Sequence, residues 1–136
     1  MQQLRKAISA WNTALQQAGI GLNLFFSDRY DHLVEFIGYE TLKRIVIGNI
    51  DGILGFYDAK SKKIYIVVQK DEAFLDEDTI HSALLHEIGH AIGLDHTQER
   101  YSLMNPTNVD HVMGVTEHDL ELVKKALGIV VNDDLE

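Results

Sequence analysis

The apolar and polar positions of the chain follow one period at the N-terminus and another after it. Between residues 4 and 18, apolar side chains recur at spacings of four, three, four and three, which predicts an amphipathic helix that Gly19 ends. Trp11 lies on this apolar stripe, so we expect it in the core. From residue 22 the pattern changes to short runs rich in β-forming residues. We predict strands over residues 22–26, 33–37, 44–50, 53–57 and 64–68.

Two further helices are predicted in the second half of the chain. One runs from about residue 79 to residue 92, and the other begins near Thr116, where T-E-H-D has the form of a capping box, and continues to Gly128. The polar residues 58–63 predict a hairpin loop, and therefore antiparallel pairing, between the last two strands. Strands followed by helices, without regular alternation, favour an α+β fold with a largely antiparallel or mixed sheet.

The composition is that of one folded domain. The 136 residues are 46% hydrophobic and include one proline, which is enough apolar material for a core. Twelve Lys and Arg residues against 21 Asp and Glu residues give a net charge of -9, which disfavours a nucleic-acid partner. No apolar run approaches the ~20 residues that cross a bilayer, so no membrane partner is expected. The N-terminal residues also lack the apolar core of a signal peptide.

The residues H-E-I-G-H-A-I-G-L-D-H, from His86 to His96, carry the candidate chemistry. Because His86 and His90 lie ~40° apart on a helical wheel, both imidazoles can bind one ion. Gly93 permits a turn that returns His96 toward the same ion. Three neutral imidazoles leave the fourth position of zinc open for water, as in a catalytic site, and Glu87 beside them suits a general base. Cysteine is absent, so thiolate ligands and disulfides are excluded. The implied reaction is hydrolysis of an amide.

This motif, followed by S-L-M-N-P at residues 102–106, resembles the metzincin zinc endopeptidases, and most closely their matrixin branch. Met104 lies eight residues beyond His96, and a proline follows two places later, as in matrixins. The resemblance implies that His86, His90 and His96 bind one catalytic Zn²⁺ and that Glu87 is the catalytic base. It also implies a methionine turn in which Met104 forms an apolar floor below the imidazoles.

The rest of the chain resembles the family more loosely. The resemblance implies a mixed, mostly antiparallel twisted sheet and a single catalytic domain over residues 1–136, with subdomains of about 1–93 and 94–136. It also implies an edge strand above the cleft that pairs with an extended peptide. Pro106 and Asn108 are further candidate substrate contacts, although matrixins usually carry a tyrosine where this chain has Asn108. The candidate substrate-binding residues of the edge strand are Ile53, Leu54, Gly55 and Phe56.

Other polar residues have simpler interpretations. His81 points away from His86 on the wheel, so we expect a structural role, and the remaining histidines, at 32, 111 and 118, lack a partner at ligand spacing. Asp71 and Glu72 resemble a calcium-binding corner of the family, and Lys70 beside them weakens that likeness. We interpret the five acidic residues within positions 71–78 as a solvated loop and the negative first turn of a helix, in preference to a Ca²⁺ site.

Three functions remain open at this point. The leading hypothesis is a zinc-dependent endopeptidase that cleaves an extended peptide or protein. The alternatives are a zinc-stabilised peptide-binding module without turnover and a zinc amidase that acts on a non-protein amide. Glu87 favours an enzyme, because a binding module needs no base beside the metal. The sequence gives no signal of oligomerisation, so a monomer is expected, and secretion is expected by family analogy alone.

Overall fold

The computed structural model describes residues 2–106 and 112–128. In this part of the chain a helix comes first, a sheet with one inserted helix follows, and two further helices come last. This order is that of an α+β protein, as predicted. The elements are α1 (Gln2–Gln17), β1 (Leu33–Gly38), α2 (Tyr39–Ile45), β2 (Gly55–Asp58), β3 (Lys63–Lys70), β4 (Ala73–Phe74), α3 (Glu77–Ile92) and α4 (Glu117–Ala126).

Three of these helices confirm predicted ones. Gly19 follows the end of α1 with φ of 71°. Glycine suits this left-handed backbone conformation because it has no Cβ atom. Thr116 caps α4: its side chain accepts a hydrogen bond from the backbone of Asp119, and the Asp119 carboxylate accepts one from the backbone of Thr116. This reciprocal pair is the predicted capping box. No helix in residues 2–106 and 112–128 is both long and apolar enough to cross a bilayer.

The sheet is mixed, with β3 at its centre. Strand β1 runs parallel to β3, whereas β2 and β4 run antiparallel to it, and β2 lies at one end of the order β1-β3-β2. Residues 59–62 connect β2 to β3, which confirms the predicted hairpin. Asp58 closes this turn, because its carboxylate accepts hydrogen bonds from the backbone of Lys60 at 3.0 Å and the hydroxyl of Ser61 at 2.9 Å.

The core has two parts, one on each face of β3. Ile64 and Ile66 point to the larger cluster, which includes apolar residues of α1 and α3. Tyr65 and Val67 point to a smaller cluster that includes residues of α2. This alternation follows from the two-residue period of a strand. Trp11 is fully buried in the larger cluster, as predicted. Its indole Nε1 donates a hydrogen bond to the carbonyl of Leu85 at 3.0 Å, which joins α1 to α3.

The predicted strand over residues 22–26 is wrong. The amide of Leu24 donates to the side chain of Asn12 at 2.8 Å, and its carbonyl accepts from that side chain at 2.7 Å. An asparagine side chain of α1 therefore takes the place that a neighbouring strand would occupy. The residue pattern of a strand is present, but its backbone pairs with a side chain.

The predicted strand over residues 44–50 is also wrong. Helix α2 extends to Ile45, and residues 46–50 form neither a strand nor a helix; the helix buries Tyr39 and Leu42, three positions apart, against the sheet. Its charges suit a helix, because Glu40 lies in the first turn and Lys43 lies in the last. In the segment that follows, the side chain of Ile47 is 100% exposed, whereas Ile50 is buried in the smaller cluster.

The fourth predicted strand is confirmed with shifted bounds. We predicted residues 53–57, and β2 runs from Gly55 to Asp58. Ile53 and Leu54 precede it, although the carbonyl of Leu54 still accepts a hydrogen bond from the amide of Val67 at 2.9 Å. The division of the chain into subdomains near residue 93 stays a prediction.

Candidate metal and catalytic site

Helix α3 carries the candidate site, and both of its ends are fixed by capping contacts. Asp76 caps the N-terminus, where its carboxylate accepts a hydrogen bond from the amide of Thr79 at 2.7 Å, and the side chain of Thr79, followed by its amide, lowers the pKa of Asp76. Gly93 ends the helix with φ of 120°, and its amide donates to the carbonyl of His90 at 3.0 Å. The turn at Gly93 redirects the chain, as predicted, and His96 comes back beside the helix.

The three predicted ligands lie together. Nε2 of His96 is 3.3 Å from Nε2 of His86 and 3.2 Å from Nε2 of His90. In the part of the chain that the structure describes, these histidines are the one cluster of three or more His, Asp or Glu side chains close enough to bind a common metal ion. His86 and His90 are half-buried, whereas His96 is exposed. The site therefore opens to solvent on the side of the loop ligand.

The two helix histidines are oriented by backbone carbonyls. Nδ1 of His86 donates to the carbonyl of Leu103 at 2.6 Å, and Nδ1 of His90 donates to the carbonyl of Leu94 at 2.7 Å. A nitrogen that donates to a carbonyl carries the proton, so Nε2 of both rings is a bare lone pair. Both lone pairs point at His96, and a single proton on His96 Nε2 could be shared with only one of them. A cation between the rings would satisfy all three.

The spacing of the donor atoms suits zinc. Zinc binds imidazole nitrogens at about 2.0–2.1 Å, so tetrahedral geometry places two such nitrogens about 3.3–3.4 Å apart. The observed separations of 3.2 and 3.3 Å agree with this value. Neutral imidazoles of this tautomer, held by carbonyls on the far side of each ring, are also the usual zinc donors. The residues present therefore fit a zinc ion.

Burial keeps these imidazoles neutral. It lowers the pKa of His86 to about 4, against the smaller opposing effects of the Leu103 carbonyl and the negative charge of Asp119. Burial also lowers the pKa of His90, against the carbonyl of Leu94. A lowered pKa means that little proton competition opposes metal binding near neutral pH, since only the neutral ring offers a lone pair.

Glu87 follows His86 on α3 and is 6% exposed. Burial raises the pKa of its carboxyl group to about 8, because a charged carboxylate is poorly solvated there. The side chain lies against Gly55 of β2: a Cβ atom added at Gly55 would be 2.9 Å from Oε2 of Glu87. The glycine thus leaves the room that the carboxylate uses. This function of Gly55 is not readable from the sequence, where it stands as one residue of a strand.

Met104 is fully buried below α3. A Cβ atom added at Gly89 would lie 2.5 Å from Sδ of Met104 and 3.5 Å from the ring of Trp11, so the methionine packs where the helix has no side chain. This packing places Met104 against the backbone of the motif that carries the three ligands. Whether it forms the apolar floor that the resemblance implies stays a prediction.

Three polar residues around the ligands were not predicted. Tyr57 of β2 stacks on the ring of His90, with centroids 6.4 Å apart and planes 12° apart, and its hydroxyl lies 3.1 Å from Nε2 of His32. Ser102 and Asp119 are fully buried and hydrogen-bond near the carbonyl that orients His86. The sequence signal for Asp119 was its place in the capping box, which predicted a bond to its own helix only.

The remaining candidates have mixed outcomes. Ile53 and Pro106 are exposed, whereas Leu54 and Phe56 are half-buried, and Phe56 stacks on Tyr65. Asn108 and His111 lie outside the described residues. His81 is buried on the packed face of α3, which confirms its predicted position away from the ligands. The acidic run at 71–78 supplies the N-cap and negative first turn of α3, as predicted.

Two helix imidazoles one turn apart, a third beyond a glycine turn and a buried glutamate next to the first are typical of zinc peptidases. The family model described as matrixin, a peptidase family, matches residues 2–128. The chain therefore belongs to the matrixin family, and the predicted resemblance is confirmed. No curated protein matches the chain. Family membership implies zinc-dependent peptidase activity, with peptides or proteins as substrates.

Proposed function

We propose that this protein is a zinc-dependent endopeptidase in which His86, His90 and His96 bind the ion and Glu87 is the general base. The observation that carries the proposal is the gathering of three Nε2 atoms within 4.8 Å of one another, two of them deprotonated by their carbonyl contacts and both at 3.2–3.3 Å from Nε2 of His96. When bound, zinc polarises the substrate carbonyl and makes the attacking water more acidic.

Glu87 would move the proton in this reaction. Its carboxylate lies next to His86 in sequence and within the same buried region, so it can take a proton from the attacking water and give it to the leaving amine. Its raised pKa makes the carboxylate a stronger base than an exposed one. A divalent cation at the three histidines would favour its charged form, which is the form that accepts a proton.

Strand β2 would hold the substrate. It lies at the end of the order β1-β3-β2, so one of its edges is available for an extended peptide, and Gly55 in this strand contacts Glu87. Backbone hydrogen bonds at such an edge orient a peptide without demanding a particular sequence. Ile53, Leu54 and Phe56 would contribute side-chain contacts at this edge, and Pro106 and Asn108 stay further candidates for substrate contact.

The decisive experiment compares three proteins on an unfolded protein substrate and a mixed peptide library. The wild type should cleave both, lose activity with a chelator and regain it with zinc. Glu87→Ala should keep zinc and fold but lose turnover, whereas Glu77→Ala, an exposed acid in the first turn of the same helix, should behave as the wild type. Cleavage that ignores chelation would refute the metal assignment.

The same experiment separates the alternatives. A peptide-binding module would bind zinc and library peptides but show no cleavage in the wild type. An amidase would leave peptides intact and cleave a non-protein amide with the same dependence on Glu87. Full residual activity of Glu87→Ala would remove the base assignment and leave the metal assignment in place. The monomeric state, expected from the lack of an oligomerisation signal, and secretion, expected from family analogy, stay proposals.

A further inference from the structure

We propose that the buried pair Asp119 and Ser102 positions and polarises His86 through the peptide bond between Leu103 and Met104. The inference rests on the proposed function, because it concerns the affinity of the same three histidines for zinc. The carboxylate would act through another residue's backbone, so Asp119 and Ser102 are positioning residues and not catalytic ones.

A continuous chain of hydrogen bonds carries the proposal. Nδ1 of His86 donates to the carbonyl of Leu103 at 2.6 Å. The amide of Met104 belongs to that same peptide group, and it donates to the hydroxyl of Ser102 at 3.0 Å. The hydroxyl in turn donates to Oδ1 of Asp119 at 2.5 Å. Every donor in the series points toward the carboxylate, so each bond strengthens the next.

The carboxylate is held at the buried end of this chain. Asp119 is fully buried, and it accepts hydrogen bonds from the amide of Leu103 as well as from the amide and hydroxyl of Thr116. These donors compensate the buried polar group and fix it to the first turn of α4. In low dielectric surroundings a negative charge at this point attracts the proton on His86 Nδ1 and makes Nε2 a better electron donor.

His90 provides an internal comparison. Its Nδ1 also donates to a backbone carbonyl at a similar distance, that of Leu94. The amide of Leu94 bonds to the carbonyl of Gly89 at 2.9 Å, whereas the corresponding amide on the His86 side, that of Leu103, bonds to the carboxylate of Asp119 at 3.1 Å. Loss of the Ser102 hydroxyl should therefore affect His86 and leave His90 nearly unchanged. A general loosening of the fold would affect both rings.

The test measures zinc binding and the two ring protons, without any substrate. Zinc affinity is obtained by competition with a chromophoric chelator, and the Nδ1–H resonances of His86 and His90 are followed by NMR in the zinc-loaded protein. Ser102→Ala should weaken zinc binding about 10- to 100-fold, the usual cost of losing an outer contact of a ligand. It should also move the His86 resonance much more than that of His90.

Ser61→Ala is the matched control. It removes a hydrogen bond from a serine hydroxyl to a carboxylate, that of Asp58 in the turn between β2 and β3, so it should leave zinc affinity within about twofold. Asp119→Asn, which keeps the shape but loses the charge, should also weaken zinc binding and move the His86 resonance. It decides the matter if Ser102→Ala does not fold.

The outcomes are distinct. If the wild type binds zinc tightly and Ser102→Ala or Asp119→Asn binds it equally well, with the His86 resonance unmoved, the inference is overturned and the proposed function stands. Equal losses in Ser61→Ala and Ser102→Ala would show a structural role only, which also overturns it. If the wild type itself binds no zinc, both the inference and the proposed function fail.

Discussion

The histidines on the two faces of helix α3 differ in their hydrogen bonds. On one face, His86 and His90 each donate Nδ1 to a carbonyl and aim Nε2 at His96. On the other face, His81 is buried, and its Nδ1 has no hydrogen-bond partner among the residues that the structure describes. The comparison shows that burial alone does not make a ligand. An imidazole becomes a metal donor where its proton is held on one side and a second donor faces it on the other.

The largest predicted effect is the loss of zinc affinity when one of the three clustered histidines is replaced. His96→Ala and His90→Ala should each weaken zinc binding by more than about 100-fold, since losing a ligand costs more than losing an outer contact. His81→Leu, a change on the packed face of the same helix, should leave zinc affinity unchanged. Competition with a chelator measures all three. A zinc affinity that falls equally in His81→Leu would mean that the two faces do not differ in the way we describe.

The second effect concerns the boundary between the faces, where Glu87 lies against Gly55. Gly55→Ala puts a Cβ atom 2.9 Å from the glutamate side chain, which must then move. Because a displacement of about 1 Å at a reacting group can cost about 100-fold in rate, kcat should fall 10- to 100-fold with zinc content unchanged.

Gly38→Ala is the control for this change, because an added Cβ atom there has its nearest neighbour, the carbonyl of Gln69, at 3.9 Å. Steady-state kinetics and metal analysis of both variants test the prediction. A Gly55→Ala enzyme with wild-type kcat would show that Glu87 tolerates displacement, which is incompatible with a base that works at a fixed position.

The sequence predicted α3 and its site well because these features depend on local geometry. His86, Glu87 and His90 belong to one helix, so their relative positions follow from its period, and Gly93 marks its end through backbone conformation alone. A catalytic zinc site needs a third protein donor, and this requirement then indicated His96. These parts could be predicted without any knowledge of tertiary contacts.

The parts that failed depend on contacts between distant residues. Residues 22–26 have the pattern of a strand, but Asn12 takes their backbone hydrogen bonds. Gly55 and Ser102 touch the site only after β2 and the loop beyond His96 fold against α3. Periodicity along the chain shows which residues lie on the same side of a helix or strand. It does not show which distant residues pack against that side.

The third effect is a loss of stability at the packed face. Gly89→Ala puts a Cβ atom 2.5 Å from Sδ of Met104, which is fully buried and has little room to move. Overpacking of this kind costs about 1–3 kcal/mol, and the better helix propensity of alanine offsets up to about 1 kcal/mol of that. The free energy of unfolding, measured with urea, should therefore fall by about 1–2 kcal/mol.

Gly21→Ala serves as the reference for this measurement, because an added Cβ atom there meets nothing within 4 Å. Its stability should equal that of the wild type within about 0.5 kcal/mol. A Gly89→Ala protein that is as stable as the wild type, or more so, would mean that Met104 can repack freely and is not confined beneath the helix.

The smallest effect distinguishes the packed face by its pH dependence. Burial and the charge of Lys6 lower the pKa of His81, against the opposing charge of Asp78. Folding therefore favours the neutral ring, so the stability it contributes is present above its unfolded pKa of about 6.5 and is lost as the pH falls below that value.

In the presence of a chelator, the wild type should lose more unfolding free energy than His81→Leu between about pH 7.5 and about pH 5.5. The other histidines with lowered pKa values, His32 among them, titrate in both proteins and cancel in this difference. If the unfolding free energy depends on pH equally in the two proteins, protonation of His81 does not affect stability. The packed face would then differ from the face of His86 and His90 only because no second donor faces His81.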